Sequence, residues 1–236
     1  MSGLSRRTVL LGGAAAAAPL GGCGNFIPRD GGTYRFRLTL AVMTPQGVRS
    51  AAGVIEIAYS MVLNFNGGGQ MSREDVRGEA VFLDLGQGRN LVLLLLFDPY
   101  LPTQALFGRA GFNAVETLLQ GRKLEGSVEL RPDLIPTLVS FSDLNDPASA
   151  RVVPPTDAGF AAAFGPGFRL ASVTLEMVPA GVWPFNLVGL SGTPVTRGIE
   201  GKMPTMLAKL RELDKTLQLV HPNDPLKVRS GHLSVK

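Results

Sequence analysis

The sequence predicts an α+β, β-dominated fold: an antiparallel sheet or sandwich built from hairpins, with about two helices packed on one side. Three observations carry this expectation. Short runs alternate apolar and polar residues, the period of a half-buried strand. These runs come in neighbouring pairs joined by turn-forming residues. The helical patterns do not alternate with the strands, as they would in a parallel βαβ sheet. No repeat of fixed period and no biased internal linker is visible, so a single domain is expected over 33–220. It lies between a short tether at 23–32 and a polar tail at 221–236.

Taken in order, the elements begin with residues 33–40, where Tyr34, Phe36, Leu38 and Leu40 share one face. Thr44-Pro45-Gln46-Gly47 makes a turn, because Pro pre-sets the first central residue and Gly accepts the end of the turn. Residues 53–59 return as the second strand of a hairpin. Gly67-Gly68-Gly69 reads as a flexible loop. A third strand is expected over 77–85, and residues 86–90 turn it into 91–97. That run is apolar on both faces, which predicts a central strand covered on both sides. It is too short to span a bilayer, and Asp98-Pro99 ends it. A helix is expected over 110–120, stopped by Gly121. Further strands are read at 126–130, 137–141 and 170–177. Pro204 suits a first helical turn, and Leu207, Leu210, Leu213 and Leu217 then mark an amphipathic helix. From His221 on, the polar residues with Pro222 and Pro225 read as loosely ordered.

Residues 1–22 read as an export signal. Arg6 and Arg7 stand in an acid-free start and an uncharged, Ala- and Gly-rich stretch follows, too short to cross a membrane. Paired arginines before a mildly apolar stretch resemble a twin-arginine signal, with Val9 where the family usually has Phe. Leu20-Gly21-Gly22-Cys23 resembles a lipoprotein box: a large apolar residue, small residues, then the thiol that becomes a diacylglycerol thioether and the new N-terminus. Gly24 follows where some bacteria carry an inner-membrane Asp. The alternative is ordinary cleavage after Ala16, which leaves Cys23 an idle thiol. The expected address is thus the cell envelope facing the periplasm, at the inner or outer membrane. The membrane is engaged through the lipid, and the twin-arginine translocase is a transient partner. That translocase carries folded proteins, often because a cofactor is inserted first, but no cofactor motif is visible.

Two of the 23 basic residues and none of the 19 acidic ones lie in the signal, so its removal lowers the net charge from +4 to +2. With no Lys/Arg run in the body, nucleic acid has no electrostatic footprint. Cys23 is the only cysteine, so no disulfide can form within one chain.

No catalytic motif survives inspection. Asp143, Asn145 and Asp146 form the densest polar cluster and could offer oxygen ligands to Ca²⁺ or a contact to a partner. The cluster lacks the Gly and distal Glu of an EF-hand, and an Asx-turn is favoured. Gly189-Leu190-Ser191-Gly192 resembles a nucleophile elbow but continues with Thr193, and both histidines, His221 and His232, sit in the polar tail. They serve zinc poorly. Gly198–201 with Lys202 lacks the phosphate-loop spacing, and Gly86-Gln87-Gly88 lacks the third glycine of a dinucleotide loop. Glu56, Glu79, Asp84, Glu129 and Glu176 fall on strands, where solvent-facing alternation explains them more simply than paired-carboxylate hydrolysis. Trp183 and Phe185 in a Pro/Gly-rich loop read as core packing or as an exposed anchor.

Several segments together resemble an uncharacterised family of proteobacterial proteins, many with export signals. They are Thr44-Pro45-Gln46-Gly47 leading into Val54-Ile55-Glu56, the stretch 77–85, the stretch 138–147, Phe164-Gly165-Pro166-Gly167, and Pro194-Val195-Thr196-Arg197-Gly198-Ile199-Glu200. The resemblance covers most of the mature chain and implies one domain. It brings no activity, cofactor or site residue. The expectation is a lipid-anchored envelope protein serving as a non-enzymatic binding or structural module, with an envelope protein as possible partner. The alternatives are a carboxylate-dependent hydrolase of envelope polymers or lipids, and an apolar-ligand carrier with a lumen beneath 91–97.

Overall fold

A computed structural model describes residues 29–64, 69–111, 125–179, 192–217 and 233–235. The chain is β-dominated, with two antiparallel sheets and short helices. The first sheet has six strands: β1 (Arg29–Thr44), β2 (Gly47–Asn64), β3 (Gly69–Glu79), β6 (Ser127–Glu129), β9 (Arg169–Val178) and β10 (Ser234–Val235). Their order is β10-β3-β2-β1-β9-β6. The second has four: β4 (Val81–Gly86), β5 (Arg89–Leu93), β7 (Leu138–Phe141) and β8 (Ala150–Val152), ordered β4-β5-β7-β8. The helices are α1 (Leu101–Phe107), α2 (Asp157–Phe164), α3 (Ile199–Lys202) and α4 (Pro204–Leu217).

Alternation builds the core. Tyr34, Phe36, Leu38, Leu40 and Val42 of β1 stand opposite or beside Ile55, Ile57, Val173, Leu175 and Met177, and all of them are buried between the sheets. The β1–β2 hairpin turns at Pro45-Gln46, where Thr44 Oγ1 donates to the Gly47 carbonyl at 2.8 Å and accepts from Gln46 N at 3.2 Å. The β4–β5 hairpin turns at Gln87-Gly88 with φ values of 55° and 75°, both positive as a type I′ turn requires. Leu91 and Leu93 face the inter-sheet core, whereas Val92 and Leu94 face a second cluster. That cluster holds Val139, Phe141, Met203, Met206, Leu207 and Leu210, so helix α4 covers the outer face of the four-stranded sheet. The apolar run Leu91–Leu94 is therefore sandwiched between two layers, as its composition demands.

The structure corrects the sequence reading in four places. The stretch 77–85 is two strands in different sheets, broken at Ala80. Val76 packs toward the inter-sheet core from an even position, whereas Val81, Leu83 and Leu85 do so from odd ones. Gly78, at φ 152°, lies 3.3 Å from Ile55 at its notional Cβ, so close strand approach immediately precedes the switch. The end of the tail is not loose: Leu233 is fully buried, its carbonyl accepts from Ala80 N at 2.7 Å, and β10 pairs with β3. The last four residues of the expected tether begin β1 instead. Among the described residues four helices stand where about two were expected, because α1, α2 and α3 have eight residues or fewer, too short to show a helical period. The helix expected over 110–120 lies, after its first two residues, outside the described residues.

All three tyrosines of the chain meet at one place. The Tyr34 and Tyr59 hydroxyls are 2.7 Å apart, and Tyr59 donates to the Pro99 carbonyl. Tyr100 stacks on Tyr59 with ring centroids 5.6 Å apart and donates to Glu74 Oε1 at 2.6 Å. Burial pushes the Tyr34 and Tyr59 phenols well above their ordinary value, since a phenolate there would lose its hydration.

Candidate functional site

Four of the strand carboxylates are engaged by protein partners. Glu56 stands opposite Arg35 on β1 and Arg77 on β3, and it bonds both: Arg35 Nε at 2.7 Å and Arg77 Nη1 at 3.3 Å. Glu79 accepts from Ile199 N at 2.7 Å at the start of α3. Glu56 is 7 % exposed and Glu79 6 %, so the expectation that both face solvent is wrong. Segment 193–199 covers that outer face: Arg35 donates to the Thr193 carbonyl, and Thr196 exchanges hydrogen bonds with the Val54 backbone. Glu176 pairs with Arg37 across β1 and β9, and the Asp84 carboxylate accepts from Gly86 N.

Asp143 and Asp146 sit in consecutive Asx-turns after β7. Asp143 Oδ1 accepts from Asn145 N at 2.8 Å, and Asp146 Oδ1 from Ala148 N at 3.0 Å. Ser149 Oγ closes the loop onto the Asp143 and Asp146 carbonyls, and Lys209 of α4 donates to the Asn145 carbonyl. These are turn interactions, in which side-chain oxygens hold backbone N–H groups. Among the described residues no three His, Cys, Asp or Glu side chains gather as metal ligands. Arg6, Arg7, Leu20, Gly21, Gly22, Cys23, Trp183, Phe185, Ser191, His221 and His232 lie outside the described residues.

Among the described residues a concavity lies where α2 covers one end of the four-stranded sheet. This cleft, about 550 Å³, is lined by Gly88, Arg89, Ser140, Phe141, Ser142, Arg151, Val152, Pro154, Gly159, Ala162, Ala163 and Phe164. Its size falls within the range of small-molecule sites. Register places its polar groups. Ser140 stands directly opposite Arg151 in the β7–β8 pair. The β5–β7 pairing of Val92 with Val139, continued along the strands, sets Arg89 beside Ser142. Residues 89 and 91 on β5, 140 and 142 along β7, and 151 on β8 consequently share one sheet face. The two arginine Cα positions are then roughly 12 Å apart, two strand spacings across and two residues along.

Asn90 fixes this register. Its amide donates to the Phe141 carbonyl at 2.8 Å and accepts from Phe141 N at 2.9 Å, so a buried side chain replaces a rung of backbone pairing. The opposite wall is α2, capped by Thr156, whose Oγ1 accepts from Gly159 N. Phe160 and Phe164 anchor the helix in the core. Gly159 lets it approach Pro154: a Cβ there would lie 2.5 Å from the Pro154 carbonyl oxygen.

Neither cleft arginine makes an ion pair among the described residues. Arg89 lies 5.3 Å from the Phe168 ring centroid and donates to Gln87 Oε1. Arg151 donates only to the Ala148 and Ala150 carbonyls. No carboxylate lines the cleft. Sequence reasoning does not find either: Arg89 falls in the expected turn over 86–90, and Arg151 lies in no expected element. The one available signal was a basic residue opening an otherwise apolar strand. No protein-family model, no curated protein and no solved structure matches the chain.

Proposed function

We propose that this protein is a lipid-anchored envelope protein whose exported β-rich domain is a non-enzymatic binding module. The observation that carries the module reading is the cleft. It offers guanidinium forks, serine hydroxyls and an apolar wall on strands held rigid by Asn90, a composition suited to holding a ligand. The address rests on Arg6-Arg7 and on Cys23 after Leu20-Gly21-Gly22. Each buried acyl carbon contributes about 0.8 kcal/mol, so several chains on Cys23 hold the domain firmly at a bilayer.

Three measurements test this. Metabolic labelling with a fatty-acid analogue should tag the native protein, and Cys23→Ala should lose both the label and sedimentation with membranes. Arg6→Lys with Arg7→Lys should leave an unprocessed precursor in the cytosol. Cross-linking in intact cells followed by detergent extraction should recover a reproducible envelope component. A soluble, unlabelled product retaining its first 22 residues would overturn the address, and an invariably monomeric, ligand-free isolate would overturn the module.

A further inference from the structure

We infer that the cleft between α2 and the four-stranded sheet binds an organic oxyanion: a carboxylate or phosphate head carried on a compact apolar body. The inference rests on the cleft being the module's binding surface, and it is independent of the lipid anchor.

The argument is one of unmatched charge. Elsewhere in the described structure Arg35 and Arg77 share Glu56, and Arg37 has Glu176, whereas half-buried Arg89 and exposed Arg151 meet no acid. Arg89 and Arg151 line a concavity without a carboxylate, and each is held in place by neutral groups only. Both rise from the same sheet face with Ser140 and Ser142 between them, so long side chains approaching from two strands can converge on a group seated above the serines. A guanidinium presents parallel N–H donors that match two oxygens of a carboxylate or phosphate, and hydroxyls can complete the set. The remaining wall (Pro154, Ala162, Ala163 and Phe164) is apolar and gives no hydrogen bond to a second polar end. An amphipathic anion is thus preferred to a free inorganic one.

The test uses the full chain in detergent, titrated calorimetrically with phenyl phosphate, benzoate, inorganic phosphate and neutral benzamide. Every variant sits in the same micelle, so partition into detergent cancels between them. At least one aromatic anion should bind about tenfold or more tighter than benzamide, weakening as salt rises. The preferred head separates phosphate from carboxylate, and inorganic phosphate should bind more weakly than phenyl phosphate. Arg89→Gln and Arg151→Gln should each weaken binding about tenfold, while Arg131→Gln, outside the cleft, should not. Ala162→Glu adds an internal carboxylate to the exposed helix wall and should abolish binding without touching either arginine. Anions binding no tighter than benzamide, or undiminished in both arginine variants, would overturn the inference. If the anions fail while Cys23 labelling and envelope cross-linking succeed, anion recognition falls and the tethered module stands.

Discussion

The outer face of the six-stranded sheet and the cleft of the four-stranded sheet use arginine in opposite ways. On the first, Arg35, Glu56 and Arg77 lie in one row across three strands, segment 193–199 lies over Arg35, and the carboxylate bonds both cations. In the second, Arg89 and Arg151 hold no acid and line open space. A paired arginine beneath a covering segment can no longer answer to a ligand, whereas an unpaired one held by a ring and by carbonyls is positioned without being neutralised. The difference separates, within one residue type, a charge neutralised inside the fold from a charge left open at a cleft.

Alkali gives the largest way to separate scaffold from site. The unfolded phenols ionise near pH 10, whereas burial holds those of Tyr34 and Tyr59 higher in the folded protein. Above that pH the unfolded state releases protons that the folded state retains, so stability is level below about 10 and falls as pH rises beyond it. The tyrosinate absorbance of Tyr34 and Tyr59 should appear together with loss of the circular-dichroism strand signal. Arginines keep their charge there, so binding lost with that signal reports the sheets rather than the cleft. Glu56→Ala comes next. It leaves Arg35 buried without its acid and should cost about 3 kcal/mol in denaturant unfolding. Asn90→Ala removes both bonds to Phe141 and should cost about 2 kcal/mol, weakening oxyanion binding as β5 and β7 lose register. Arg77→Gln should cost under about 1 kcal/mol, because its side chain is half exposed. Smallest of all, Arg89→Gln and Arg151→Gln should change stability by no more than about 0.5 kcal/mol while affinity collapses. A large stability loss in those two would erase the contrast.

Much of the fold was legible in the sequence. The alternation from Tyr34 to Leu40, the Pro45-Gln46 turn and the leucine spacing of α4 follow from the local sequence, and each forms; the run from Leu91 is covered on both faces as expected, but its strand ends at Leu93 rather than Phe97. What was hidden depends on distant partners. Nothing near Ala80 announces that the chain changes sheets, because the alternation breaks by one residue between two strands of similar composition. Glu56 and Glu79 look solvent-facing until segment 193–199, more than a hundred residues away, lies over them. Thr156 is a readable cap, but an eight-residue helix interrupted by Gly159 shows no period. The cleft was the least legible part, since Arg89 and Arg151 gain meaning only from a register shared by three strands.

Strand β1 has a consequence for how such a module would stand on a bilayer. Five residues lie between Cys23 and Arg29, a stretch of chain that can span at most about 20 Å. Sixteen residues of extended chain then carry β1 roughly 50 Å to its hairpin end. That far end is the one beside the cleft: Pro45 touches Gly167, Arg49 packs on Gly86, and Arg89 covers Phe168. Were Cys23 acylated as proposed, the length of β1 would allow its cleft end to stand well away from the lipid headgroups.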